Sequence, residues 1–266
     1  MSDTRVAGLI DRLVRPAVRE IDPYHVPPGK GLVKLDAMEN PYTLPMDLEE
    51  EWRARLSNVS INRYPDPAAS ELKDAIREVF EVPDESGLIL GNGSDELIQM
   101  LAILLGGQGR IFLSPAPSFS MYGLISVCTG TGFHSVPLDV DFSLRRDRTL
   151  QAIRETSPAC VLLAYPNNPT GNCFDRDLVC EIIEAAPGLV VLDEAYCLFS
   201  GKSFMHQLPE FSNLLVMRTL SKSGLAGLRL GMLMGHPEWI AELELSLIHI
   251  SEPTRPPLLS RMPSSA

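Results

Sequence analysis

At 266 residues, 45% hydrophobic and 21% charged, the chain has the bulk and balance of a soluble globular protein with a sizeable core, built as one large domain or two small ones. Its 34 acidic residues outweigh 23 basic ones for a net charge of −11, and no Lys/Arg run stands out, which disfavours nucleic-acid and anionic-membrane partners. The longest apolar stretches, such as LAILL (101–105), fall far short of a membrane span.

The N-terminus mixes Asp3, Arg5, Asp11, Arg12, Arg15 and Arg19 with apolar residues, so it reads as an amphipathic helix and not as a secretory signal. A stretch rich in proline comes next (Pro23, Pro27, Pro28, Pro41, Pro45), and residues 1–45 together read as an arm that docks on something larger. From about residue 68 a rhythm begins: helical patterning (68–80), a short apolar run (88–90), a Gly-rich turn and another helix (94–105). The apolar runs IFL (111–113), CVLLA (160–164), LVVLDEA (189–195), NLLVM (213–217) and LRLGMLM (228–234) continue it. Runs this short and apolar on both faces suit strands buried in a parallel sheet, with helical crossovers between them. The expectation is an α/β fold with a mainly parallel sheet over residues 46–245. Five cysteines without a C-x-x-C pair indicate reduced thiols in a cytoplasmic protein, and five scattered histidines argue against a metal site. After AELELSL the pattern stops. The segment SLIHISEPTRP resembles a translated sequencing adapter, so residues 246–266 are read as a non-native tail.

In open parallel sheets ligands collect beyond the carboxyl ends of strands, so the turn after each apolar run matters most. Those turns are GNGSDEL (91–97), SPAPSF (114–119), YPNNPTG (165–171), DEAY (193–196) and RTLSK (218–222). Five of them in succession suggest one shared pocket. GNGSDEL sets two glycines before a helix start, where free N–H groups can bind a phosphate; a simply well-capped helix is the alternative. A dinucleotide fingerprint would need glycine where Glu96 stands, which disfavours NAD. Asp193 ends a buried run, where an acid is costly unless paired; an N-cap or loop salt bridge would also explain it. Lys222 is either a surface lysine or, in a partly desolvated pocket, an amine nucleophile. Arg229 sits in an otherwise apolar run, and its fork geometry suits a phosphate. An amine, a buried acid, a helix N-terminus and an arginine are the parts that pyridoxal 5'-phosphate requires.

Through ENPY (39–42), RYPDP (63–67), GNGSDEL, YPNNPTG, DEAY and TLSKSGLAGLRLG (219–231), the chain resembles the histidinol-phosphate branch of the aspartate-aminotransferase fold family. The resemblance runs from about Arg15 to Leu243. It implies Lys222 as the lysine that carries the cofactor and shuttles the proton, and Asp193 as partner of the pyridine nitrogen. It implies Asn168 and Tyr196 at the ring oxygen, Phe119 stacked on the ring, and Ser94, Asp95, Ser221 and Arg229 at the phosphate. Tyr64 would reach the cofactor of a neighbouring subunit in a homodimer, and Tyr24 and Asn40 would lie near the substrate. The implied activity moves an amino group between L-histidinol phosphate and 2-oxoglutarate or glutamate. A decarboxylase of a phosphorylated amino acid, a non-catalytic cofactor-binding fragment and a nucleotide-binding module using GNGSD are the alternatives. Relatives have eight positions from the lysine to the phosphate arginine, whereas seven separate Lys222 from Arg229. Phe119 stands where tyrosine is common. The family's C-terminal small domain is missing, with the arginine that binds the substrate carboxylate in many relatives, so the chain as given is expected to be inactive.

Overall fold

The computed structural model describes residues 2–22, 31, 33 and 37–246. Tyr24 and the tail beyond Ser246 lie outside them. Along the chain the helices are α1 (Ser2–Leu13), α2 (Pro16–Arg19), α3 (Met46–Ser57), α4 (Ser70–Phe80), α5 (Ser94–Leu105), α6 (Met121–Thr129), α7 (Arg146–Thr156), α8 (Arg176–Ala185), α9 (Cys197–Ser200) and α10 (Pro237–Ser246). The strands are β1 (Gly87–Asn92), β2 (Ile111–Ala116), β3 (Gly132–Pro137), β4 (Cys160–Ala164), β5 (Leu189–Asp193), β6 (Leu214–Thr219) and β7 (Leu230–Gly235). No helix among the described residues is long and apolar enough to cross a membrane.

The strands form one sheet in the order β1-β7-β6-β5-β4-β2-β3. The ladders from β6 through β3 are parallel, whereas β7 runs antiparallel to both of its neighbours. The α/β architecture and mainly parallel sheet match the sequence reading. Three details differ. The run 189–195 ends as a strand at Asp193, the run 228–234 begins as a strand only at Leu230, and β3 has no apolar run to announce it. β3 is an edge strand with five of its six residues exposed, so it needs no apolar pattern.

Alternation along the central strands makes two cores. Val161, Leu163, Val190, Leu192, Leu214 and Val216 join one apolar cluster with Ile153 of α7 and Ile182 of α8. The intervening Leu162, Val191, Leu215 and Met217 join the other, with α5, α6 and α10. The period of two in a strand thus becomes three layers, helix–sheet–helix. Helix α5 is apolar nearly all round because it lies inside its layer: Leu97, Ile98, Met100 and Leu101 are wholly buried. Each such side chain stabilises the fold by about 1.5–3 kcal/mol. The N-terminal arm meets this body where the Arg15 guanidinium donates to the Val127 and Cys128 carbonyls, at the C-terminal end of α6. A cation there complements the helix dipole.

Candidate active site

The parallel strands β4, β5 and β6 deliver Ala164, Asp193 and Thr219 to the same edge of the sheet. The reversal of β7 adds to that edge. Because Asn92 pairs with Leu230, the start of β7 lies beside the end of β1, which sets Arg229 next to Gly93 and Ser94. A parallel β7 would have put Arg229 at the far end, about 20 Å away. One cavity at this edge is lined by Ser94, Asp95, Phe119, Asn168, Asp193 and Tyr196, and by Ser221, Lys222 and Arg229. Nine of the residues named from the sequence therefore converge.

The anion end is built by close backbone approach. Gly93 caps α5 at φ +82°, and no side chain caps the helix start, so its free N–H groups face the cavity edge. Neither Ser94 nor Asp95 is the capping residue. Glu96 instead turns back to accept from the Asn92 amide at 2.6 Å. A Cβ on Gly93 would fall 2.5 Å from an Arg229 guanidinium nitrogen, and one on Gly231 would fall 2.5 Å from the Gly93 carbonyl. Both glycines keep room for that arginine and the helix start. The seven-position path from Lys222 is absorbed by a short 3₁₀ turn at Ala226–Leu228 and by Arg229 itself, at φ +51°. Its guanidinium donates to Ser221 Oγ at 3.4 Å. Asp95 lies among these groups with Oδ1 buried and without a hydrogen-bond partner. Burial raises its pKa, against the pull of Arg229 and Lys222.

The other end holds the acid and the amine. Asp193, 4% exposed, accepts from Tyr122 Oη at 2.7 Å and from the Ala195 amide at 3.1 Å. Burial pushes its pKa up to about 6, with the Tyr122 bond opposing. The neighbouring acid goes elsewhere: Glu194 is buried and accepts from Arg218 at 2.8 Å and from Ser203 Oγ at 2.8 Å. The salt bridge suggested for DEAY thus belongs to Glu194, which leaves Asp193 for the cavity. Lys222 Nζ donates to the Ala37 carbonyl at 2.8 Å and lies 5.6 Å from the centre of the Tyr196 ring. Partial burial lowers its pKa, with Glu39 and Asp95 opposing. It is no plain surface lysine.

Two candidates stand apart. Asn40 packs against the Lys222 loop, where a Cβ on Gly224 would fall 2.6 Å from Asn40 Nδ2, but it does not line the cavity. Tyr64 is 65% exposed and lies outside it. Sequence reasoning missed Tyr122 and Thr219. Tyr122 looks like helix core; its only signal was lying three residues after Phe119. Thr219 Oγ1 bonds Ser221 Oγ at 2.9 Å and so fixes the turn that carries Lys222. Asn167, beside Asn168, is the structural member of that pair. Buried, it donates to the Pro117 carbonyl at 3.0 Å and to Thr170 Oγ1 at 2.7 Å.

The donor set fits a phosphorylated carbonyl cofactor: an unprotected helix start and arginine at one end, a buried acid at the other, and a partly desolvated amine between. A family model described as aminotransferase class I and II matches residues 30–254. The chain is 52% identical over 244 residues to a histidinol-phosphate aminotransferase of Nitrosococcus oceani, covering 92% of this chain and 67% of that protein. It is 50% identical to one of Cupriavidus pinatubonensis, covering 89% and 66%. Among solved structures, the histidinol-phosphate aminotransferase of Sinorhizobium meliloti in complex with pyridoxal-5'-phosphate superposes with a TM-score of 0.76 at 23% identity, covering 88% of this chain and 66% of that one. The chain thus spans about two thirds of the length of the curated relatives it matches.

Proposed function

Since the chain belongs to the aminotransferase class I and II family, we propose that its cavity binds pyridoxal 5'-phosphate for amino transfer between L-histidinol phosphate and 2-oxoglutarate or glutamate. One observation carries this reading. A single cavity joins Lys222, the buried Asp193 and the helix start facing Arg229. When bound, the cofactor supplies an electron-withdrawing ring that makes a substrate α-proton removable.

The chain's own groups do the rest. Partial burial lowers the pKa of Lys222 and so increases its share of neutral amine, the form that can attach the cofactor and then take and return the α-proton at Nζ. Asp193 holds a proton on the pyridine nitrogen. Ser94, Ser221, Arg229 and the α5 N–H groups, the Asp95 amide among them, hold the phosphate. Asn168 and Tyr196 serve the ring oxygen, and Phe119 covers the ring face. Asn40 and Tyr24 serve the substrate, and Tyr64 reaches across a homodimer. This is the chemistry of a cytoplasmic biosynthetic enzyme.

The test is covalent mapping. Load the protein with pyridoxal 5'-phosphate, treat it with borohydride, digest it and locate the label by mass spectrometry. The label is expected on Lys222 and lost in Lys222→Ala. A label on Lys73 or Lys202 instead would overturn the assignment.

A further inference from the structure

We propose that Tyr122 is a positioning residue of this site: it anchors the Asp193 carboxylate on the cavity floor and braces the Phe119 ring beside it. The proposal rests on the cofactor reading above and extends it below the cavity, since Tyr122 does not line it.

Tyr122 is wholly buried in α6, within an apolar cluster where phenylalanine would fill the same space. Its hydroxyl is costly to bury without a partner, and it donates to Asp193 Oδ2 at 2.7 Å. The Ala195 amide donates to the other oxygen, Oδ1, at 3.1 Å. With one donor on each oxygen, the carboxylate cannot rotate without breaking a bond. The same ring meets Phe119 edge-on, with centroids 5.4 Å apart and planes at 88°. Its backbone amide donates to the Phe119 carbonyl at 3.3 Å, and Ser126 Oγ donates to the Tyr122 carbonyl at 2.7 Å. One side chain thereby fixes both the acid and the aromatic wall.

The charges around Asp193 make this hydroxyl consequential. Asp95 from α5 and Glu194 next along β5 disfavour the ionised carboxyl, and Lys222 from the β6–β7 connection brings positive charge. Beyond desolvation, the Tyr122 bond is the largest influence on the group and favours ionisation. Tyr122 itself remains protonated, because burial and Asp193 raise its pKa well above the usual phenol value. It is therefore a permanent donor.

Carbon-13 carboxyl NMR of the full cofactor-free chain tests this, with the Asp193 signal identified by its loss in Asp193→Asn. Tyr122→Phe is expected to raise the Asp193 midpoint by about one pH unit or more, the scale of a lost bond to a charged group. Site-specific 3-fluorotyrosine at position 122, a stronger donor, is expected to lower it. It also decides the matter if Tyr122→Phe fails to fold. Ser126→Ala, which disturbs α6 but spares the hydroxyl, is expected to leave the midpoint in place. An unmoved midpoint with fluorotyrosine, or a Ser126→Ala shift equal to that of Tyr122→Phe, would overturn the proposal. The borohydride label on Lys222 is read separately, so failure of the cofactor assignment would appear there and not in the titration.

Discussion

Asp193 carries a cost in the cofactor-free protein that depends on pH. Its folded pKa of about 6 stands above the ordinary 3.8, so burial is tolerated below pH 4 and opposed as pH rises through 6. The difference of about two pH units corresponds to about 3 kcal/mol. Asp193→Asn has no charge to bury, so it should match the parent near pH 4 and exceed its stability by up to about 3 kcal/mol at pH 8. Urea unfolding of both cofactor-free proteins at pH 4, 6 and 8 checks this, and parallel stability curves would refute it. At this scale the sequence was legible where a polar residue ended an apolar run, as with Lys222, Asp193 and Ser94. It was silent on Tyr122, because a buried tyrosine in a helix looks the same whether its hydroxyl serves a site or not. It singled out Asp193 but was silent on the partner of Glu194, since that depends on Arg218 arriving from the next strand.

Among the elements, the start of α5 depends most on backbone conformation. Gly93 sits at φ +82° and ψ 174°, a region open essentially to glycine alone. Gly93→Ala should cost about 1–3 kcal/mol of stability for that conformation. Its new methyl would also displace the Arg229 guanidinium. Affinity for a phosphorylated ligand should fall about tenfold or more, equivalent to at least 1.4 kcal/mol. Equilibrium dialysis with pyridoxal 5'-phosphate and urea midpoints measure the two effects; unchanged binding would show that Arg229 does not serve the anion. The central strands could be recognised from sequence because each is buried on both faces. Their parallel majority followed from the helical segments between them, but the reversal of a single strand did not, since an antiparallel strand so buried has the same apolar content as a parallel one. The reversal of β7 was therefore invisible although it places Arg229. The edge strand β3 escaped notice for the opposite reason, having little apolar content to show.

For the whole molecule, the exposure of Tyr64 outside the cavity raises the question of which site it serves. In a two-fold dimer with shared sites, mixing Tyr64→Phe subunits with Lys222→Ala subunits gathers both lesions into one site and leaves the other intact. The mixture should then retain more cofactor after gel filtration than either parent alone. If subunit exchange is shown and retention does not rise, Tyr64 acts within its own subunit or not at all. The three-layer architecture itself was legible in the alternation of apolar runs and helical segments. The two-fold assembly has no such signature, because one exposed tyrosine between Arg63 and Pro65 packs equally well under its own loop.

The sheet also has a seam. β6 and β7 are joined by a short connection that closes with little loss of chain entropy, and that connection carries both Lys222 and Arg229. β1 must instead find β7 across about 140 residues, the longest-range pairing in the sheet. An anion held between Ser94 and Arg229, as proposed for the cofactor phosphate, would bridge that seam. It can bind only the chain in which β1 has docked, so its binding energy adds to the closure of the sheet. Detachment of β1 and release of the anion would then be linked equilibria, and a bound ligand would act as a clasp that keeps the least local part of the topology shut.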